Sequence, residues 1–61
     1  MIEQEVIGME KQAAIDLIES KGLQSLILAE DGKNFMSTPG FKKNRINLYI
    51  HLGKVIKATV G

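Results

Sequence analysis

The sequence RINLYIHL, residues 45–52, alternates strictly between apolar and other side chains. Successive side chains of a β-strand point to opposite faces, so this period of two predicts a strand with one apolar face. The apolar face carries Ile46, Leu48, Ile50 and Leu52, and the opposite face carries Arg45, Asn47, Tyr49 and His51. A strand of this kind packs its apolar face against another layer.

The elements around this strand follow from local patterns. Downstream, Gly53-Lys54 predicts a tight turn, and Val55–Val60 predicts a further strand that ends at Gly61. Upstream, Leu23–Ala29 is a short apolar run bounded by turn residues, which predicts another strand, buried on both faces toward its end.

A helix is predicted before the first strand, at about Lys11 to Lys21. Ala14, Leu17 and Ile18 recur on one stripe, and Gly22 is suited to end the helix in a left-handed conformation. Residues 1–7 are predicted to form an extended arm. The resulting order is arm, helix, strand, long loop, strand, turn, strand, which predicts an α+β domain with one helix packed on a small mixed sheet.

The long loop is the most informative feature. After the turn chemistry of residues 30–34, Phe35 to Asn44 has no clean period and contains Pro39, the only proline. The first two predicted strands are thus separated by about fifteen residues without helical character, and a structureless loop of that length is unusual in a small domain and more often functional than accidental.

Length and composition exclude several classes of protein. The 61 residues allow a single domain spanning 1–61, and the absence of cysteine with a single histidine argues against a metal site, a cofactor or a catalytic triad. We therefore expect that the protein is not an enzyme. No apolar run is long enough for a membrane span, and Glu3 and Glu5 stand where a signal peptide would be basic. We expect a cytoplasmic protein, or a secreted one if a leader was removed.

Charge is divided unevenly along the chain. Residues 1–31 hold all seven acids and two lysines, 2 − 7 = −5, whereas residues 32–61 hold six basic residues and no acid, +6. This split either steers a charged partner or lets the two halves attract each other after folding; we favour the second. Lys42, Lys43 and Arg45 form too small a basic patch, with one aromatic nearby, to favour nucleic acid.

Several segments, in order, resemble the potato inhibitor I family of serine protease inhibitors, especially its short bacterial and fungal relatives. Residues 5–8 resemble the family's entry to its helix, and Ala14 with Leu17-Ile18 its helix stripe. The strongest segment is 44–50, which resembles the family pattern D-R-[VL]-[RN]-[LV]-x-V. Further similar segments are Leu26-Ile27-Leu28, Asp31-Gly32, Gly53-Lys54-Val55-Ile56 and Val60-Gly61.

The resemblance implies a rigid loop that enters a protease active site as a substrate would, so the expected partner is a protein. The loop residues would be Met36, Ser37, Thr38, Pro39, Gly40 and Phe41. The resemblance also implies a brace from basic or amide side chains on the following strand, positions held here by Arg45 and Asn47. Lys42 matches a basic residue of the family, and the carboxylate of Gly61 would join the brace.

The chain departs from the family at three positions. Pro39 occupies the reactive position, where a side chain that fills a specificity pocket is usual; Gly40 replaces an acid that receives the brace; and Asn44 replaces Asp. Either Met36 is presented instead, or the target is unusual, or inhibition has been lost. The alternative function is a non-catalytic binding or regulatory module that uses the same fold against a macromolecular partner, including a second copy of itself.

Two further side chains of this strand, His51 and Tyr49, are predicted to have structural roles. His51 is alone on its strand face, which favours a solvent-facing or hydrogen-bonded role over a ligand or base. Tyr49 on the same face is interpreted as a cross-strand packing residue.

Overall fold

Four strands form one mixed sheet in the computed structural model, which describes residues 1–35 and 40–61. The sheet order is β2-β1-β3-β4, with β1 and β3 parallel and the two other pairs antiparallel. Two helices precede the sheet in the chain. Their bounds and those of the strands are α1 Ile2–Glu5, α2 Lys11–Ser20, β1 Gln24–Glu30, β2 Lys33–Asn34, β3 Arg45–His51 and β4 Lys54–Val60.

The core lies between α2 and one face of the sheet. Ile46, Leu48 and Ile50 of β3 are buried, as the alternation of the sequence predicts. The remaining buried apolar side chains are Val6, Ala14, Ile18 and Val55. Leu48 pairs with Ile27 of β1 on one side and with Ala58 of β4 on the other. The apolar face therefore continues across all three strands. The predicted α+β class with a helix on a mixed sheet is confirmed.

The start of the chain differs from the prediction. Residues 1–7 were expected to be an extended arm, but Ile2–Glu5 form the short helix α1 and Val6 is fully buried. An apolar side chain gains about 1.5–3 kcal/mol when it leaves water, and Val6 obtains this gain by entering the core. The amides of Gly8 and Val55 then join the segment after α1 to β4, through Gly8 N–H to Val55 O (2.8 Å) and Val55 N–H to Met9 O (2.9 Å).

The prediction for Leu52 was wrong. It was placed on the core face of the strand, but β3 ends at His51 and Leu52 is 80% exposed with φ +50°. Leu52 and Gly53 (φ +79°) are the central residues of the two-residue turn between β3 and β4, so the turn begins one residue earlier than predicted. A turn with positive φ at both central positions matches the twist of the strands it joins.

Some regular structure lies inside the segment predicted to lack it. Asp31 and Gly32, with φ +52° and +84°, form a second tight turn, and β2 then pairs with the end of β1 through Glu30 and Lys33. β1 itself runs to Glu30, one residue beyond its predicted end, and its residues are half-buried after an exposed Gln24. In the described residues, no helix is long and apolar enough to cross a membrane.

Candidate functional site

The candidate site lies on the sheet face opposite α2, where the chain crosses from β1 to β3. Parallel neighbours need a crossover of a dozen or more residues, which is usually a helix. Here residues 31–44 make the crossover, and their described part contains only β2. Phe35 is attached to the sheet at one end of this segment by its N–H, which donates to Leu28 O (2.8 Å).

Arg45 holds the other end of the crossover. Its Nη2 donates to the main-chain oxygen of Gly40 (2.8 Å), and both Nε (2.9 Å) and Nη2 donate to the main-chain oxygen of Gly61. The N–H of Gly61 in turn donates to Arg45 O (3.0 Å). One side chain therefore ties the crossover to the end of β4.

Burial makes these bonds important. Arg45 is only 7% exposed, and a buried guanidinium needs hydrogen-bond acceptors to offset the loss of water. Arginine suits this position because its planar group offers donors in several fixed directions at once, whereas a lysine ammonium is a single charged point. The carbonyl oxygens of Gly40 and Gly61 receive charge-assisted hydrogen bonds, the stronger kind.

Phe41 packs against Gly61. A Cβ built on Gly61 would lie 3.2 Å and 3.3 Å from the Cδ2 and Cε2 atoms of the Phe41 ring. The φ of Gly61 is +142°, a conformation that other residues rarely adopt. Although its ring rests on Gly61, Phe41 remains 73% exposed, so it presents an apolar surface beside the Arg45 brace.

Asn47 lies next to Arg45 on the same strand face and is 8% exposed. Its Nδ2 donates to Thr59 Oγ1 (3.4 Å) on β4, while its Oδ1 is buried and has no hydrogen-bond partner among residues 1–35 and 40–61. In the described residues, Asn47 therefore bonds to the neighbouring strand and not to the crossover. The brace that the resemblance implies would have Asn47 reach back to the loop, whose residues 36–39 lie outside the described part of the chain, so this role of Asn47 stays a prediction.

A groove of about 400 Å³ lies between the sheet and the described end of the crossover at Gly40 and Phe41. Leu26 and Leu28 contribute an apolar wall that the sequence analysis did not identify. The register pairs Leu26 with Asn47, so both side chains lie on the same face. A parallel pairing between strands distant in sequence is not visible in either strand alone. The groove is lined by Leu26, Leu28, Gly40, Phe41, Arg45, Asn47 and Gly61.

The remaining predicted site residues divide into two groups. Met36, Ser37, Thr38 and Pro39 lie outside the described residues. Lys42 is exposed, and its main-chain oxygen accepts the N–H of Arg45 (3.2 Å) in the turn that leads into β3. The structure thus brings Gly40, Phe41, Arg45 and Gly61 together, with Asn47 beside them.

Two side chains outside the groove have local partners. His51 Nδ1 lies 3.7 Å from Asp31 Oδ1, and the same carboxylate oxygen accepts the N–H of Leu52 (2.8 Å). Lys57 Nζ lies 5.1 Å from the centroid of the Tyr49 ring, a cation–π contact between adjacent strands. Within the residues that the structure describes, no cluster of three or more His, Cys, Asp or Glu side chains is arranged to hold a metal ion.

Comparison of the chain with protein-family models, with curated proteins and with solved structures finds no match.

Proposed function

We propose that this protein is a small serine protease inhibitor of the potato inhibitor I type, which presents the segment from Met36 to Phe41 as a substrate mimic. The observation that carries the proposal is the Arg45 brace: a buried guanidinium on the strand after the loop binds the Gly40 oxygen at 2.8 Å. The resemblance expects an arginine with this role at this position.

The arrangement of the crossover supports the same function. The segment is attached at Phe35 through Leu28 and at Gly40 through Arg45, so both approaches to the proposed reactive residues are bonded to the sheet. A loop whose two ends are already fixed has less conformational entropy to lose when a protease binds it. Ordered ends also keep the two sides of a cut bond close together, which favours resealing over release.

A second candidate is a binding module with no inhibitory activity. Its support is the exposed Phe41 beside the exposed Lys42 and Lys43, an aromatic side chain next to positive charge on a braced segment. Exposed aromatics on rigid segments often anchor protein interfaces. Gly40, with φ +92°, also stands where the family has an acidic residue, so the brace reaches main chain in place of a carboxylate.

The test is a titration of subtilisin-like, chymotrypsin-like, elastase-like and proline-cleaving proteases with the protein. We expect inhibition of at least one enzyme at micromolar concentration, with at most one slow cut between residues 36 and 41 by mass spectrometry. Rapid cutting in this segment by every enzyme, or no interaction with any of them, would contradict inhibition and leave the binding module.

A pair of variants separates the brace from general charge. Arg45→Met removes the donors to Gly40 and Gly61 but keeps a long side chain, whereas Lys43→Met removes one exposed positive charge. We expect Arg45→Met to raise the rate of cleavage between residues 36 and 41 by about tenfold or more, and Lys43→Met to leave it unchanged. Equal effects of the two variants would show that the brace does not protect the loop.

A further inference from the structure

β4 is an edge strand, and part of its outer edge has no partner. The N–H of Gly61 donates to Arg45 O, and the antiparallel register then continues through Thr59 opposite Asn47 and Lys57 opposite Tyr49. In an antiparallel pair, hydrogen-bonded and non-bonded residues alternate. The N–H and C=O groups of Ala58 and Val60 therefore point away from β3.

The segment between the helices covers only the beginning of this edge. Gly8 and Met9 exchange hydrogen bonds with Val55, and the N–H of Lys11 donates to Gly53 O (2.9 Å). α1 contacts β4 but makes no hydrogen bond to it. Among the described residues, none bonds to the main chain of Ala58 or Val60 on its outer side.

The side chains along this edge do not protect it. Natural edge strands avoid pairing with other chains by placing lysine or proline outward, by bulges or by a covering element. Lys57 is exposed, but its Nζ lies over the Tyr49 ring of β3 and so away from the outer edge; β4 contains no proline, and α1, which contacts β4, gives it no main-chain partner. The bulge in β4 lies at Ile56, before the unpaired groups, and leaves Ile56 60% exposed.

We propose that the outer edge of β4 pairs with the same edge of a second copy of this chain. In the antiparallel register that we assign, Ala58 lies opposite Val60 of the second copy, and a twofold axis passes between the two Thr59 residues. Each Ala58–Val60 pair then exchanges both of its main-chain hydrogen bonds, and the sheet continues from one molecule into the other.

The register is favourable for side chains as well. Ala58 and Val60 lie on the core-facing side, where their pairing extends an apolar face, and Thr59 meets Thr59, a favourable cross-strand pair. Lys57 lies opposite Gly61 of the second copy, so the two Lys57 side chains do not face each other. The formal net charge of +1 adds little repulsion between copies.

The first experiment uses the unmodified protein. Sedimentation analysis from roughly 10 µM to 1 mM should show a monomer that converts to a dimer, because association follows protomer concentration. Amide hydrogen exchange at the two concentrations should show Ala58 and Val60 becoming protected in the dimer while the amide of Thr59 stays protected throughout. A monomer across the range, or exchange at Ala58 and Val60 that is independent of concentration, would overturn the proposal.

Matched variants locate the interface. Val60→Pro removes the outward N–H without removing a bond to β3, and proline is tolerated at such an edge position. Val60→Ala shortens the same side chain but keeps the N–H, and Thr59→Lys places two like charges opposite each other at the twofold axis. We expect Val60→Pro and Thr59→Lys to weaken dimerisation by about tenfold or more, and Val60→Ala to weaken it by less than about threefold. Undiminished dimerisation of Thr59→Lys and Val60→Pro would place the interface elsewhere. None of these results depends on protease inhibition.

Discussion

Single residues decide how the crossover is attached to the sheet. Arg45 bonds to Gly40 and Gly61, and Gly61 in turn supports the ring of Phe41. The position of Gly61 is restricted in two ways, since its φ of +142° disfavours any side chain and a Cβ would lie 3.2 Å from the ring. A substitution of Phe41 or Gly61 should therefore also disturb the hydrogen bonds that Arg45 makes.

Gly61→Ala tests this contact. We expect the free energy of unfolding to fall by about 1 kcal/mol, because the added methyl group is strained by φ and pushes the Phe41 ring. The same substitution in a Phe41→Ala background should cost less, since the steric part is relieved. Urea unfolding of the four proteins gives the coupling energy. Costs that are equal in both backgrounds would contradict packing of the ring on Gly61.

At the scale of elements, the two tight turns lie beside each other at the carboxyl ends of β1 and β3. Asp31 accepts the N–H of Leu52 (2.8 Å), and the Asp31 N–H donates to Ile50 O (2.9 Å), so each turn supports the other. Asp31 is suited to its φ of +52°, because short polar side chains tolerate this region. Leu52 is not suited to its φ of +50°, and its exposed side chain gains little from packing.

Leu52→Asn should therefore stabilise the hairpin of β3 and β4. Asparagine tolerates positive φ and precedes Gly53 here, the pair that favours this turn, so we expect a gain of about 0.5–1 kcal/mol. Leu52→Val is the matched control, because a β-branched residue is more strained at positive φ and should destabilise. Thermal and urea unfolding measure both variants. A loss of stability in Leu52→Asn would mean that the exposed leucine makes contacts that outweigh its strain.

At the scale of the whole molecule, stability depends on a small core. A chain of this length has a free energy of unfolding of roughly 3–9 kcal/mol. The central side chain of the core is Leu48, which is fully buried between α2 and the two neighbouring strands. Ion pairs add little: Lys11 and Glu30 join α2 to β1 at 2.8 Å, but both side chains are partly exposed.

Leu48→Ala should remove a large part of this stability. We expect a loss of about 3 kcal/mol from the lost transfer free energy and the cavity left behind. Ile7→Ala, at a half-exposed position, should cost less than about 1 kcal/mol. Urea unfolding at low protein concentration measures both. Similar costs at the two positions would contradict the assignment of Leu48 to the centre of the core.

The charge split also acts at this scale. Residues 1–31 carry −5 and residues 32–61 carry +6, and the fold places β1 from the acidic half beside β3 from the basic half. Between the halves, the described residues bring His51 Nδ1 within 3.7 Å of Asp31 Oδ1, a pair that is ionic only when the imidazole is protonated, whereas Lys11 and Glu30 both belong to the acidic half. Attraction between the halves is thus mainly a long-range effect, which salt screens.

Local patterns predict much of the fold because their causes are local. The period of two in residues 45–51 and the helical stripe of Ala14 and Ile18 both mark faces that must leave water, and the structure buries both. The residues at the brace are also visible, because Arg45 is a charged residue on the less apolar face of an apolar strand. What local patterns do not predict is α1, the exposure of Leu52 and the apolar wall of Leu26 and Leu28.

The order of residues along the chain thus specifies the helix, the three main strands and the segment that links two of them without a helix, since propensity, periodicity and turn chemistry act over a few residues. Only the folded molecule decides that β1 lies parallel to β3, that Val6 enters the core and that Arg45 meets Gly40 and Gly61. These outcomes depend on competition among distant groups for the same buried space and the same hydrogen-bond acceptors, and that competition has no local signature in the sequence.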